Sequence, residues 1–311
     1  MNTPHVLKKT AVALAVLVLA GCASVNINES VNQTNQELTG FTNGKLSLVQ
    51  TDEQRQAMAS KAGEILKEPL SQPAAVELML THSPQFQAVL AENWAQAAQA
   101  AQSGRIHNPV FTFERVRIKD ELELGRLLSF GLLDLLSLPA RQGIARTQID
   151  RAQLQLTSSV VDQVTQVRQA WVDAVAAQQA HTYAQQVFES AQTSAELARR
   201  MQEVGNFTRL QRARQQSFYA DAALNLAATR HKATATREAL VRMLGLNTEQ
   251  AAQLKLPERL PDLPEAPKAP SEVAKRAEDR LDVRMAKQGF DSSAKAQGLG
   301  NVASFLDIEA G

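Results

Sequence analysis

Hydrophobic positions along this chain change period several times, and each change predicts a new element. After Lys8 and Lys9 comes an apolar run from Ala11 to Ala20, too short for an ordinary spanning helix but of the form of a signal-peptide core. From Ala23 to about Leu46 the residues are polar, rich in Asn, Thr and Glu, as in a solvated tether or an extended N-terminal arm. Asp52 to Leu70 predicts a short helix, so residues 22–72 read as a tether followed by that helix. Pro73 then opens another helix with apolar positions at Ala75, Leu78, Met79, Phe86, Val89 and Leu90, and Pro84 predicts a break within it. The Ala/Gln stretch Ala91 to Gln102 continues as helix until Gly104.

The period then falls to that of strands. Val110 to Ile118 (V-F-T-F-E-R-V-R-I) is β-branched and aromatic, and Arg126 to Leu136 is a second apolar run. Joined by the charged stretch Lys119 to Gly125, they predict a β-hairpin over 108–136. Strands of about 9–11 residues suit a tilted transmembrane strand. The alternation is imperfect, because Phe111, Phe113, Arg115 and Arg117 share one face while Glu114 interrupts the face of Val110, Val116 and Ile118. On these residues a soluble hairpin and a membrane hairpin both stay open.

After Pro139 the apolar residues Val160, Val164, Val167, Trp171, Val175, Tyr183, Val187, Leu197, Met201 and Val204 recur mostly at steps of three and four. That spacing predicts a helix over 140–204, with no proline and only the early Gly143 within it. At 1.5 Å per residue such a helix is roughly 95 Å long, and only coiled-coil-like packing stabilises a rod of that length. Gly205 and Asn206 suit the left-handed turn that ends it, and Thr208 with Gln211 forms a T-x-x-Q capping box opening a return helix over 208–244, stopped by Gly245. The return arm is about half as long, so half of the long helix must pack against something else.

Residues 248–270 predict a proline-rich, semi-rigid link. Beyond it, Val273 to Gln297 reads as helix and Val302 to Ile308 as strand, repeating the helix-then-strand order of Ala75 to Ile118. Asp282 to Ala286 takes the place of Gln85 to Val89, which implies an internal period of about 200 residues. The expected organisation is therefore a first repeat at 73–247 and the start of a second at 271–311.

Composition narrows the function. The 33 basic and 32 acidic residues leave a formal charge of +1, so no global field draws in nucleic acid, and no nucleic-acid partner is expected. No converging acids, bases or nucleophiles stand out, and no catalytic residue, cofactor or metal is expected. His82, His107, His181 and His231 are far apart along the chain without metal-ligand spacing, and the 6 Met are scattered. Gly40 to Lys45 (G-F-T-N-G-K) is one residue short of a P-loop, with Leu46 in place of the Ser/Thr, and reads as a turn. Cys22 is the only cysteine, which excludes an intramolecular disulfide.

Leu19-Ala20-Gly21-Cys22 looks like a bacterial lipobox, which implies a signal peptide over 1–21 and acylation of Cys22. Ala23 after the cysteine resembles the default outer-membrane sorting signal. The full order of lipobox, helix, β-hairpin, long helix, glycine turn, shorter helix, proline-rich link, helix and strand resembles the TolC family of outer-membrane efflux proteins. Its most specific pieces are Ser137-Leu138-Pro139-Ala140-Arg141, where that family passes from barrel to helix, and Val204-Gly205-Asn206-Phe207-Thr208, similar to its periplasmic helix-tip turn.

The resemblance implies a fold class that is mainly α with a small β part: a long antiparallel helical hairpin belonging to an α-barrel, plus strands of a transmembrane β-barrel, in two repeats of which the second is incomplete. It also implies a lipid-anchored homotrimer in outer-membrane lipid, extending into the periplasm and serving as a passive efflux conduit. Its partners would be a periplasmic adaptor (membrane fusion) protein and an inner-membrane pump. Leu138 and Pro139 would mark the barrel-to-helix transition. Val204 to Thr208, with Phe207 as an exposed aromatic, would be the adaptor contact, unless Gly205 does no more than end a helix. A first repeat of about 175 residues implies roughly 450 for two complete ones. The rival readings are a periplasmic adaptor lipoprotein and a structural coiled-coil lipoprotein.

Overall fold

The computed structural model describes residues 25–263 and 280–306, apart from 40, 43–45, 107, 109, 119–120 and 130. Cys22 with the expected signal segment, and the proline-rich link beyond residue 263, lie outside the described residues. In chain order the elements are α1 Ile27–Glu37, α2 Asp52–Ile65, α3 Gln72–His82, α4 Pro84–Ser103, β1 Val110–Ile118, β2 Glu121–Ser129, α5 Leu132–Glu203, α6 Arg209–Leu244, α7 Thr248–Gln253 and α8 Leu281–Leu306. The fold is mainly α, with a single two-stranded antiparallel sheet among the described residues.

Local chemistry accounts for most boundaries. Thr51 and Gln54 form a capping box at the start of α2, as Thr208 and Gln211 do for α6. Ser71 caps α3 just ahead of Pro73, which occupies the first turn where its missing N–H costs nothing. Ser83 leaves the helical region between α3 and α4, as its place before Pro84 requires, and its hydroxyl accepts from the Phe86 N–H at 3.4 Å.

The contacts divide the chain into two compact units. One holds the described residues of Met1–Ser30, Ala91–Ser158 and Pro270–Gly311; the other holds Val31–Leu90 and Ser159–Ala269. In the second unit Val76, Leu78, Leu80, Phe86, Val160, Val164, Val167, Leu240 and Leu244 are fully buried, and the Trp171 ring N–H donates to the Leu70 carbonyl at 2.7 Å. In the first unit the packing is thinner. A Cβ on Gly104 would lie 2.7 Å from that of Ala145, so the end of α4 lies against α5. The Arg141 guanidinium donates to the carbonyls of Ser103 (3.0 Å) and Arg105 (2.7 Å), closing the last turn of α4 with a cation. Lys295 on α8 donates to the Thr147 hydroxyl at 2.8 Å. These contacts supply partners for the part of α5 that outruns its return arm.

Several expectations need correction. The polar stretch after Ala23 is not a solvated tether: it contains α1, and Ile27, Val31, Leu38 and Leu46 are buried. Within the second unit, Asn35 exchanges side-chain hydrogen bonds with both backbone groups of Leu46, and Arg168 donates to the Phe41 carbonyl at 2.5 Å while its guanidinium lies 4.6 Å from the Phe41 ring centre. Val31, Leu38 and Leu46, spaced among polar residues, act with these directed contacts to hold the segment in the second unit. The second strand is β2 at Glu121–Ser129, not Arg126–Leu136, because Glu121-Leu122-Glu123-Leu124 alternates with period two whereas Leu132 to Leu136 contains no β-branched residue.

The long helix accordingly starts at Leu132 and spans 72 residues, so Leu138 and Pro139 lie inside α5 rather than at the transition from strand to helix. Residues 248–253 of the expected link form α7, capped by Asn247 in a box with Gln250. The Val302 to Leu306 stretch continues α8 instead of forming a strand. A helix pairs its own backbone groups, whereas a strand there would need a ladder partner that the two-stranded sheet does not extend to it.

Candidate functional site

The two regions singled out by sequence are the β-hairpin and the tip of the helical pair. In the hairpin, Val110 pairs with Ser129 and the register runs without slip to Ile118 with Glu121. Neither face packs on a core: Val110, Phe111, Phe113, Leu122, Leu124, Leu127 and Leu128 are all exposed, Phe111 at 63% and Leu127 at 62%. So much bare apolar surface on a two-stranded sheet needs covering by lipid or protein.

At the tip, α5 ends in a Schellman motif. Gly205 sits at φ 80, its N–H donates to the Gln202 carbonyl at 3.0 Å, and the Asn206 N–H reaches back to Met201 at 2.8 Å. Thr208 then opens α6, so Val204 to Thr208 do form the turn of the helical hairpin. Phe207 is half-buried rather than exposed, and the Phe207 N–H also donates to the Met201 carbonyl, at 3.1 Å. The bare apolar side chains of the tip are Val204 at 69% and Leu210 at 62% exposure. Leu210 carries no signal of its own in the sequence, since it stands as a lone apolar residue inside the T-x-x-Q cap that opens α6.

Charge gathers one turn behind the tip. Glu196 accepts a two-point hydrogen bond from Arg199 (2.7 and 2.8 Å) and a third from Arg200 (2.8 Å), and Arg199 reaches on to Glu203 at 2.5 Å. Hydrogen bonds from Arg199 and then Arg200 hold the Glu196 carboxyl down at about 2, and the same pairing raises Arg199. From α6, Arg212 donates to the Gln202 amide oxygen at 2.8 Å, tying the two helices just inside the turn.

Further along, α5 presents small residues to α6. Ala177, Ala184, Ala191 and Ala198 are buried at intervals of seven, whereas Tyr183 (68%) and Leu197 (58%), part of the apolar spacing that predicts the helix, point outward. Phe188 and Tyr219 stack across the pair at 5.4 Å between ring centres. An open groove of about 870 Å³ beside them is lined by both His181 and His231, which the sequence separates and the hairpin brings together. His82 instead pairs with the Gln250 amide at 3.2 Å, and His107 lies outside the described residues. Among the described residues no group of three or more His, Cys, Asp or Glu side chains is placed to hold a metal, and no helix is long and apolar enough to cross a membrane.

Comparison with known proteins places this geometry. No known family model matches the sequence, and no curated protein matches it. Among solved structures, a membrane protein from Pseudomonas aeruginosa is 20% identical with a TM-score of 0.60, over 75% of this chain and 58% of that one. CusC, described with its transmembrane channel formation, is 14% identical with a TM-score of 0.58, over 76% and 58%. The outer membrane protein VceC of Vibrio cholerae is 13% identical with a TM-score of 0.55, over 79% and 60%. The fold is that of the TolC-type outer-membrane channels. At these identities the likeness is one of fold, and this chain spans about three fifths of the length of the channels it matches. In the TolC-type fold, the described hairpin, long helix and return arm stand in the order read from the sequence.

Proposed function

We propose that this chain is a subunit of a passive conduit across the outer membrane and periplasm. It works as a homotrimer, acylated at Cys22, and its helix tip engages a periplasmic adaptor that joins it to an inner-membrane pump supplying the energy. The observation that supports this most strongly is the union, in one TolC-type chain, of a hairpin bare of any core with a 72-residue helix and its 36-residue return arm. An adaptor would flank the helical pair with halves of a lipoyl-like β-domain; here the described flanks are the β-hairpin and α7. The outward Tyr183, Leu197, Phe218 and Leu224 would be covered by neighbouring copies.

Adjacent positions on β1 supply the test, because successive side chains point to opposite faces. Thr112→Cys and Phe113→Cys are introduced separately and outer membranes are treated with a water-soluble maleimide. In a barrel strand, residue 112 labels from the lumen and residue 113 is shielded by lipid. Equal labelling of both would place the hairpin in water and overturn the reading.

A further inference from the structure

The hairpin register carries the inference. Phe111 pairs with Leu128, Phe113 with Arg126, Arg115 with Leu124 and Arg117 with Leu122, and directly paired residues share a face. That face therefore holds five large apolar residues and three arginines with no carboxylate, and all eight are exposed. The described side chains of the other face are Val110, Thr112, Glu114, Val116, Leu127 and Ser129, with Gly125 among them, a mixed set that has a carboxylate and no arginine. An apolar surface studded only with cations matches the boundary of an anionic membrane.

The arginines are ordered along the strand. Arg117 stands one residue from the end of β1 and Arg115 three, so both lie within about 10 Å of the turn at 3.3 Å per residue. Phe111 and Leu128 occupy the opposite end. Two guanidiniums at i and i+2 on one face stand about 7 Å apart along the strand. Long arginine stems carry such charges outward to headgroup level, and a guanidinium suits two-point binding of phosphate. Arg126, level with Phe113, sits deepest and is the costliest of the three in lipid.

We propose that this face is a binding surface for anionic lipid, in which Arg115 and Arg117 hold headgroup phosphates at the turn end while Phe111, Phe113, Leu122, Leu124 and Leu128 lie against acyl chains. The proposal rests on the reading of the hairpin as a membrane segment and adds the lipid class it selects.

The test is flotation of the full chain with vesicles of phosphatidylcholine alone, and of phosphatidylcholine with about one third phosphatidylglycerol. Wild type is expected to partition roughly tenfold more onto the anionic vesicles, and added salt should erase the difference. Arg115→Gln with Arg117→Gln should remove the preference while leaving binding to the neutral vesicles unchanged. Arg115→Lys with Arg117→Lys, which keeps the charge, should retain most of it. Circular dichroism confirms that each variant keeps its helices. A wild type indifferent to composition, or a Gln variant that keeps the full preference, overturns the lipid assignment alone. Phe111→Ser with Phe113→Ser should lower flotation on both compositions. If it changes neither, the hairpin is not inserted, and the membrane reading falls together with this inference.

Discussion

Two glycines in the left-handed region separate backbone strain from collision. Gly205 (φ 80) has open space where a Cβ would stand, whereas at Gly245 (φ 70) a Cβ would collide with the Pro84 ring and lie 3.0 Å from the Ser83 Cα. Gly205→Ala should therefore cost only the left-handed penalty, about 1–2 kcal/mol. Gly245→Ala should add overpacking, for a total of about 2–4 kcal/mol. Denaturant midpoints check the order, and a Gly205 variant that loses more stability than the Gly245 variant would contradict it. Glu196 gives a prediction in pH. Its carboxyl is lowered from 4.5 to about 2 by Arg199 and Arg200, so the stabilisation it brings is complete above its ordinary range and is lost as pH falls through that interval. The group is open to solvent, so the effect is small and weakens with salt. Helix melting followed by circular dichroism should show an acid-side loss over that interval that Glu196→Gln reduces; an identical profile in the variant would exclude this pairing as its source.

At the scale of elements, the docked N-terminal segment depends on a few directed contacts. Arg168→Ala removes both the hydrogen bond to the Phe41 carbonyl and the stacking on its ring. Amide exchange around Phe41 and Thr42 should then quicken while that of α6 holds; unchanged exchange would mean that Val31, Leu38 and Leu46 hold the segment unaided. Trp171→Phe leaves the buried Leu70 carbonyl without its 2.7 Å donor and should cost about 1–3 kcal/mol. These contacts explain what was legible. Val160, Val164, Val167, Trp171 and Val175 announced their burial because large apolar residues at helical spacing fill a wide core, and the caps at Thr208 and Gly245 were readable because their chemistry is local. Burial by alanine was not legible: Ala177, Ala184, Ala191 and Ala198 have too little side chain to stand out beside Tyr183 and Leu197, although closely approaching helices demand small residues at the seam. The start of β2 was hidden for a related reason, since its alternating Glu and Leu resemble a charged loop until a partner strand is in place.

At the scale of the whole molecule, the outward stripe on the helical pair and the tip make separate demands, and substitutions tell them apart. Leu197 at 58% and Leu224 at 71% exposure are the surfaces that a homotrimer would cover along the shaft, so a charge at Leu224 should disfavour assembly wherever the shafts pack. The tip offers Val204 and Leu210 as bare apolar contacts beside a half-buried Phe207. Adaptor binding at this tip should therefore depend more on Val204 and Leu210 than on the half-buried Phe207. Val204→Ser with Leu210→Ser should weaken site-specific crosslinking to the adaptor several-fold while the trimer, followed by crosslinking in detergent extracts, stays intact. Leu224→Asp should reduce the trimer first and adaptor crosslinking only in consequence. A double Ser variant that crosslinks as wild type does would leave Gly205 as a helix terminator and nothing more, and the adaptor would have to grip the shaft.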